Sequence, residues 1–242
     1  MNFGADQIRI NLEQVKGKIA RAAERSSRNV DEIKLVVVTK AQPVEKVRAV
    51  IEAGAVLLGE NYPEETVVKI EALKDYSNIK WHMIGHLQSR KIPLVINGFD
   101  FIHSIDGLSL AEKLSLKMQE TGKKKSVLIE INVSGEDSKN GFAGWQESDW
   151  PLLMNTIATI NGLPGINLRG LMTMPPYFTD VEKSRPYFVK LRKLRDYIQE
   201  RLSFVKLDEL SMGTSADFQV AIEEGATYIR VGQAIMGERK YH

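Results

Sequence analysis

Eight short apolar runs, rich in β-branched residues, recur along the chain. They are Leu35–Val38, Val56–Leu58, Trp81–Ile84, Phe101–Ile105, Val127–Ile131, Ile166–Met172, Glu209–Ser211 and Tyr228–Val231. The runs are continuous rather than alternating, the pattern of strands covered on both faces. Such strands lie parallel, and parallel neighbours need crossover connections, usually helical. Helical stripes fill most of the intervals. Val44, Val47 and Ile51 follow Pro43, and Leu110, Leu114 and Met118 form another stripe. Leu153, Ile157 and Ile160 form a third, and Phe188, Leu191, Leu194 and Ile198 a fourth. Eight such units in 242 residues predict an α/β fold, a (β/α)8 TIM barrel. The weakest points are the three-residue seventh run and the third crossover, where Ser89–Asn97 must supply a helix around Pro93. A doubly wound open sheet is the alternative. It usually carries a glycine-rich turn after its first strand, whereas here Thr39-Lys40-Ala41-Gln42-Pro43 follows. One more stripe, Ile8, Leu12, Val15 and Ile19, precedes the first run. It predicts an extra N-terminal helix on the outer ring, beside the segment after Gly237. No linker or repeat interrupts the pattern, so residues 1–242 read as one barrel domain.

Composition narrows the function. Thirty-three Lys and Arg against 31 Asp and Glu leave a formal charge of +2, without the basic excess of a nucleic-acid protein. The chain has no cysteine, which excludes disulfides and thiolate metal sites. No stretch approaches the roughly 20 apolar residues of a membrane span. Met1–Leu12 has no signal-peptide pattern, so the expectation is a cytoplasmic protein with neither membrane nor nucleic-acid partners. Lys123-Lys124-Lys125 reads as a solvated loop, and Lys190, Arg192, Lys193 and Arg195 as a solvated helix face. His82 and His86 are four apart, a metal spacing on a helix, but they straddle a strand end without an acidic partner. No metal is expected there, and His103 reads as a packed or hydrogen-bonded core histidine.

In a barrel the chemistry gathers where strands end. Lys40 follows the first run directly. A lysine at the mouth of the core is partly desolvated, which favours the neutral amine that forms Schiff bases with aldehydes. Such a lysine can equally snorkel to solvent. The seventh run ends in Ser211-Met212-Gly213-Thr214-Ser215, and the eighth contains Arg230 before Gly232 and Gln233. Small-residue turns there expose backbone N–H groups to a phosphate. A phosphate site facing a strand-1 lysine suits a cofactor with phosphate at one end and aldehyde at the other, pyridoxal 5′-phosphate. Arg230 would meet the ring nitrogen as a permanent donor and make the ring a poor electron sink. Its other reading is an ion pair with Glu223 or Glu224.

Six ordered motifs carry a resemblance. They are Val38-Thr39-Lys40 with Pro43, Leu58-Gly59-Glu60-Asn61, Trp81–Gln88 with Lys91, Gly170-Leu171-Met172, Leu210–Asp217 and Arg230–Gly237. Together they resemble the pyridoxal phosphate homeostasis proteins, relatives of the alanine racemase N-terminal barrel. The resemblance implies a fold-type III barrel in which Lys40 carries the cofactor as an aldimine. It implies that Ser215, Gly232 and Gln233 hold the phosphate, that Arg230 faces the ring nitrogen, and that Asn61, Met174 and Ser211 line the pocket. Met174 stands where alanine racemase has a ring-packing histidine. Tyr62-Pro63-Glu64-Glu65 departs from the family's usual polar run, and Thr214 replaces a common methionine. A racemase also needs a tyrosine base from a C-terminal β-domain, and His242 follows Arg230 by a dozen residues. The expectation is therefore a monomeric, non-catalytic carrier that supplies apo pyridoxal phosphate enzymes. An amino-acid racemase working through a single lysine base is the alternative.

Overall fold

The computed structural model describes residues 4–238. Its strands are β1 (Lys34–Val38), β2 (Leu57–Glu60), β3 (Lys80–Met83), β4 (Phe101–Ile105), β5 (Lys125–Asn132), β6 (Phe142–Ala143), β7 (Ile166–Met172), β8 (Glu209–Ser211) and β9 (Tyr228–Val231). Eight of them close a parallel barrel in the order β4-β3-β2-β1-β9-β8-β7-β5, with β4 and β5 pairing to shut the ring. The short β6 pairs only with the end of β5, Phe142 opposite Ile131. The expected barrel is present, and the three-residue seventh run is a true stave. The helices are α1 (Ala5–Arg25), α2 (Val44–Glu52), α3 (Pro63–Ala72), α4 (Ile92–Gly98), α5 (Leu108–Thr121), α6 (Trp150–Asn161), α7 (Arg185–Arg201), α8 (Phe218–Glu223) and α9 (Gln233–Met236). The difficult third crossover is a 3-10 turn, Ser89–Lys91, running into α4 with Pro93 in its first turn. There the missing proline N–H has no intrahelical partner to lose.

Two apolar clusters build the core. The larger lies between the barrel wall and the helices. The smaller fills the barrel itself with Val36, Phe101, Leu128, Met172 and Tyr228. Among these stand four polar side chains, His82, His103, Ser211 and Arg230, all buried. At the N-terminal end of the staves Lys34 pairs with Glu209 and sits over the Tyr228 ring, closing the floor.

α1 lies outside the eight units yet completes them. Among the described residues the last stave is followed by the four-residue α9, too short to cover the wall. α1 occupies that place, packed on α8, α9 and α2 with Ile8, Leu12, Val15 and Ile19 buried. Asn11 Nδ2 donates to the Ile235 carbonyl at 3.1 Å, and Arg28 Nη1 to those of Ile222 and Ala226 at 2.8 Å each. The expected outer-ring position is therefore observed; the residues after Glu238 lie outside the described part.

Two surface expectations need correction. Lys125 is buried at the start of β5, where its ammonium bonds the carbonyls of Ile96 and Phe99 at the end of α4. The basic face of α7 is mostly tied down. Lys190 donates to the Trp145 carbonyl at 2.6 Å, Arg192 to Glu224 at 2.9 Å and Arg195 to Asp196 at 2.8 Å. Among the described residues no helix is long and apolar enough to cross a membrane.

Candidate functional site

The strand ends open on a cavity of about 250 Å³. Lys40, Asn61, Met174, Ser215, Arg230, Gly232 and Gln233 all line it, as the sequence led one to expect. Ser211 does not: it is fully buried and absent from the wall. Thr214, from the small-residue turn read in the sequence, also lines it; Val38, Ile84, Tyr177 and Ala216 complete the lining and were not anticipated as wall residues.

β1 ends at Val38, itself a lining residue, and Lys40 follows two residues later in the turn, on the same cavity wall. The turn after it is strained, since Ala41 takes a left-handed backbone with φ 55°. A buried clamp on Thr39 holds that turn from behind. Thr39 Oγ1 donates to Glu60 Oε1 at 2.7 Å, Lys69 Nζ to the same oxygen at 2.6 Å, and Lys69 Nζ to the Thr39 carbonyl at 2.8 Å. Glu60 and Thr39 are fully buried and Lys69 nearly so. Burial pushes the Glu60 carboxyl up, against the pull of Lys69. The clamp ties the ends of β1 and β2 to α3 one residue before Lys40.

Opposite, two turns are stitched together. Ser215 Oγ accepts from the backbone N–H of Gly232 at 3.1 Å and of Ala234 at 3.3 Å. Its own proton remains available for donation. Asp217 Oδ1 fixes the preceding turn, accepting from Thr214 N at 2.6 Å and Thr214 Oγ1 at 3.0 Å. Gly213 is needed here: at φ 90°, a Cβ would meet the Ala221 Cβ at 2.5 Å and the Phe218 Cα at 2.9 Å. The result is a concentration of N–H and O–H donors on one wall, suited to an anion.

Arg230 supplies the fixed charge. Its Nη1 donates to Ser211 Oγ at 2.5 Å and its Nη2 to the Thr173 carbonyl at 2.9 Å. Burial lowers its pKa to about 10, against Glu130 and Asp217, so it stays cationic at neutral pH. The alternative ion pair is not formed: Glu223 and Glu224 bind Arg25, Arg185 and Arg192 instead. Asn61 sits against Gly85, where any Cβ would collide with Asn61 atoms at 2.7 Å, and its Oδ1 is buried without a hydrogen-bond partner. A buried acceptor of this kind on a cavity wall is completed by a ligand donor.

At the rim, Met174 is half exposed and Tyr177 is 82% exposed. Their loop is anchored by Phe178 stacked on Tyr187, ring centroids 5.8 Å apart. His86 Nδ1 and Asp106 Oδ2 form a 2.6 Å pair, so His86 has a carboxylate partner after all, though not one adjacent in sequence. Among the described residues no group of three metal-ligating side chains occurs. Glu130, on β5, is pushed up to about 7 by burial and by Asp106. A carboxyl raised in the folded state favours folding when protonated, and that contribution disappears as pH rises from 4.5 through 7. Glu130→Gln is therefore expected to unfold at higher temperature than the parent at pH 8 and no higher at pH 4.5, the difference being about 2 kcal/mol after allowing for partial exposure. Calorimetric melts at the two pH values test this; equal melting temperatures at pH 8 would contradict it.

Comparison with known proteins adds the following. The profile of the family described as alanine racemase, N-terminal domain, matches residues 10–240. A pyridoxal phosphate homeostasis protein of Aquifex aeolicus is 41% identical over 95% of this chain and 97% of its own. One of Escherichia coli is 37% identical, with 98% of each chain covered. The solved structure of PipY from Synechococcus elongatus with PLP bound is 30% identical, with TM-score 0.78, covering 91% of this chain and 100% of that one. Alanine racemase of Clostridium difficile superposes with TM-score 0.69 at 19% identity, over 95% of this chain but 56% of the racemase, a likeness of fold alone.

Proposed function

Because the chain belongs to the pyridoxal phosphate homeostasis family, built on the alanine racemase N-terminal barrel, we propose that it binds pyridoxal 5′-phosphate in this cavity and acts in the cell's handling of that cofactor. The observation that carries the reading is one cavity lined by a lysine amine, a buried guanidinium and a hydroxyl joined to two backbone amides.

The residues fit the cofactor's chemistry. Pyridoxal phosphate, when bound, supplies an aldehyde that condenses reversibly with primary amines. Lys40 offers the amine. Ser215, whose hydroxyl proton is open to donation, and the Gly232–Gln233 turn beside it would hold the phosphate. Arg230, always a donor, would serve the ring nitrogen and leave it unprotonated. Asn61, with its unpartnered Oδ1, accepts from a donor on the ring side. Ser211 acts from beneath, through Arg230, rather than as a wall residue.

The role proposed is that of a carrier without turnover, delivering the cofactor to apo enzymes from a one-domain, monomeric, cytoplasmic protein. A permanently donating Arg230 on the cavity wall supports it, because a ring nitrogen held there would stay unprotonated and the ring would withdraw electrons weakly. The rival reading is a racemase. Tyr177 is the rim phenol that could serve such an enzyme as second base, yet it is largely exposed to solvent. Loaded protein incubated in deuterated buffer with single L-amino acids separates the two. No α-proton exchange and no D-enantiomer are expected; steady turnover, lost in Tyr177→Phe, would overturn the carrier reading.

Ser215→Ala is expected to weaken binding of pyridoxal phosphate by about 1.5–3 kcal/mol, the size of a charge-assisted hydrogen bond. Isothermal titration calorimetry measures it directly. Unchanged affinity would remove the phosphate from this wall.

A further inference from the structure

The barrel interior holds a line of hydrogen bonds that none of the binding roles above uses. Arg230 Nη1 lies 2.5 Å from Ser211 Oγ, Ser211 Oγ 2.9 Å from His103 Nδ1, and His103 Nε2 2.9 Å from His82 Nδ1. All four side chains are buried. The line runs from the cavity wall down the barrel axis to an aromatic layer of Phe101 and Tyr228 near its floor.

Its direction follows from elementary chemistry. A guanidinium only donates, so Ser211 Oγ receives the Arg230 proton. A buried hydroxyl must place its own proton, and the remaining partner of Ser211 Oγ is His103 Nδ1. His103 Nδ1 is therefore an acceptor, its ring proton sits on Nε2, and that proton is donated to His82 Nδ1. The proton of His82 is in turn on its own Nε2. Reversing the two histidines would give Ser211 two donors and leave its hydroxyl proton without an acceptor. A protonated His103 would donate from both nitrogens and break the line at Ser211.

We infer that Ser211, His103 and His82 form a one-way relay of neutral groups that positions the Arg230 guanidinium at the cavity, His103 and His82 both being locked as Nε2–H tautomers. Burial is the main cause of neutrality; Arg230 adds to it at His103, while beside His82 Asp100 pulls the other way and Lys34 partly offsets it. Burial draws His82 down to about 4 and His103 well below its usual range. The design keeps a single cation on the wall, aimed by a chain of dipoles that do not titrate near neutrality. These histidines are positioning residues; neither lines the cavity. The relay concerns the chain's own residues, whereas its effect on binding rests on the function proposed above.

Two experiments test it on the full-length protein. Long-range 1H–15N spectra of histidine-labelled protein distinguish the tautomers. Both buried rings are expected to show the Nε2–H pattern, unchanged between pH 8 and pH 5.5 and with or without pyridoxal phosphate. An Nδ1–H pattern for His103, or an imidazolium pattern within that range, would overturn the relay. This result does not depend on any ligand, so it stands apart from failure of the functional reading.

The second experiment compares His103→Asn with His103→Leu by titrating each with pyridoxal phosphate. Asn offers an acceptor close to the Nδ1 position, whereas Leu keeps the volume and loses the acceptor. His103→Leu is expected to weaken binding about tenfold, as for loss of one buried hydrogen bond, and His103→Asn by less than about threefold. If the histidine serves only to pack, the apolar, better-filling Leu binds as well as or better than Asn, and the positioning role falls.

Discussion

Replacing Lys40 with alanine is expected to abolish covalent capture of pyridoxal phosphate completely while leaving the barrel folded. The side chain stands on the cavity wall at the end of β1, and no stave depends on it for pairing. Treatment of the loaded parent with borohydride, then intact-mass measurement and peptide mapping, should find one pyridoxyl group per chain on the peptide containing Lys40. The variant should carry none, yet still bind the cofactor reversibly through the donors around Ser215 and Arg230. Attachment at another lysine in the parent, with Lys40 unmodified, would overturn the site as drawn here. Lys69 is the informative competitor, because it lies close in sequence but is sealed behind Thr39 and Glu60.

That seal is the basis of the second large effect. Glu60→Gln or Lys69→Met, each made alone, leaves one buried partner of an ion pair uncompensated. The expected loss is about 3–5 kcal/mol, measured by urea denaturation. In a chain of this size, about 10 °C in melting temperature should accompany it. The double variant Glu60→Leu with Lys69→Met should recover most of that stability, since a well-packed apolar pair often replaces a buried ion pair without loss. It should not recover the hold on the Thr39 carbonyl. The turn carrying Ala41 at positive φ is then free to relax, and borohydride trapping at Lys40 should slow even where melting is normal. Single variants within 1 kcal/mol of the parent would show that the clamp has no such role.

Much of the fold was readable because its strands are buried on both faces. The runs ending at Val38, Ile105, Met172 and Val231 coincide with observed strand ends. The seventh, only Glu209–Ser211, was readable by its place in the alternation more than by its apolarity. Wall residues were legible where strand-end position and residue chemistry coincide, as at Lys40, Ser215 and Arg230. Tyr177 was not, because rim membership depends on how a loop folds back. Ser211 shows the limit clearly. It ends its strand, as a binding residue would, but its hydroxyl is taken by Arg230 and His103 from other staves. The partners of α7 and of Lys125 were hidden for the same reason, being carbonyls and carboxylates distant in sequence. Like-charge runs read as solvated unless the tertiary fold brings them acceptors.

The seating of α1 has a consequence for the order of assembly. Asn11 bonds the Ile235 carbonyl across 224 positions of sequence, and Arg25 and Arg28 reach Glu223, Ile222 and Ala226 across nearly as many. Contacts this remote are the costliest to close and form late. During synthesis α1 must wait, its apolar stripe of Ile8, Leu12, Val15 and Ile19 uncovered, until the chain as far as α9 has left the ribosome. The same docking braces α8, which follows the turn of Gly213 and Ser215, and α9, which begins at the wall residue Gln233, so a segment made before the first stave supports the last-made residues of the pocket.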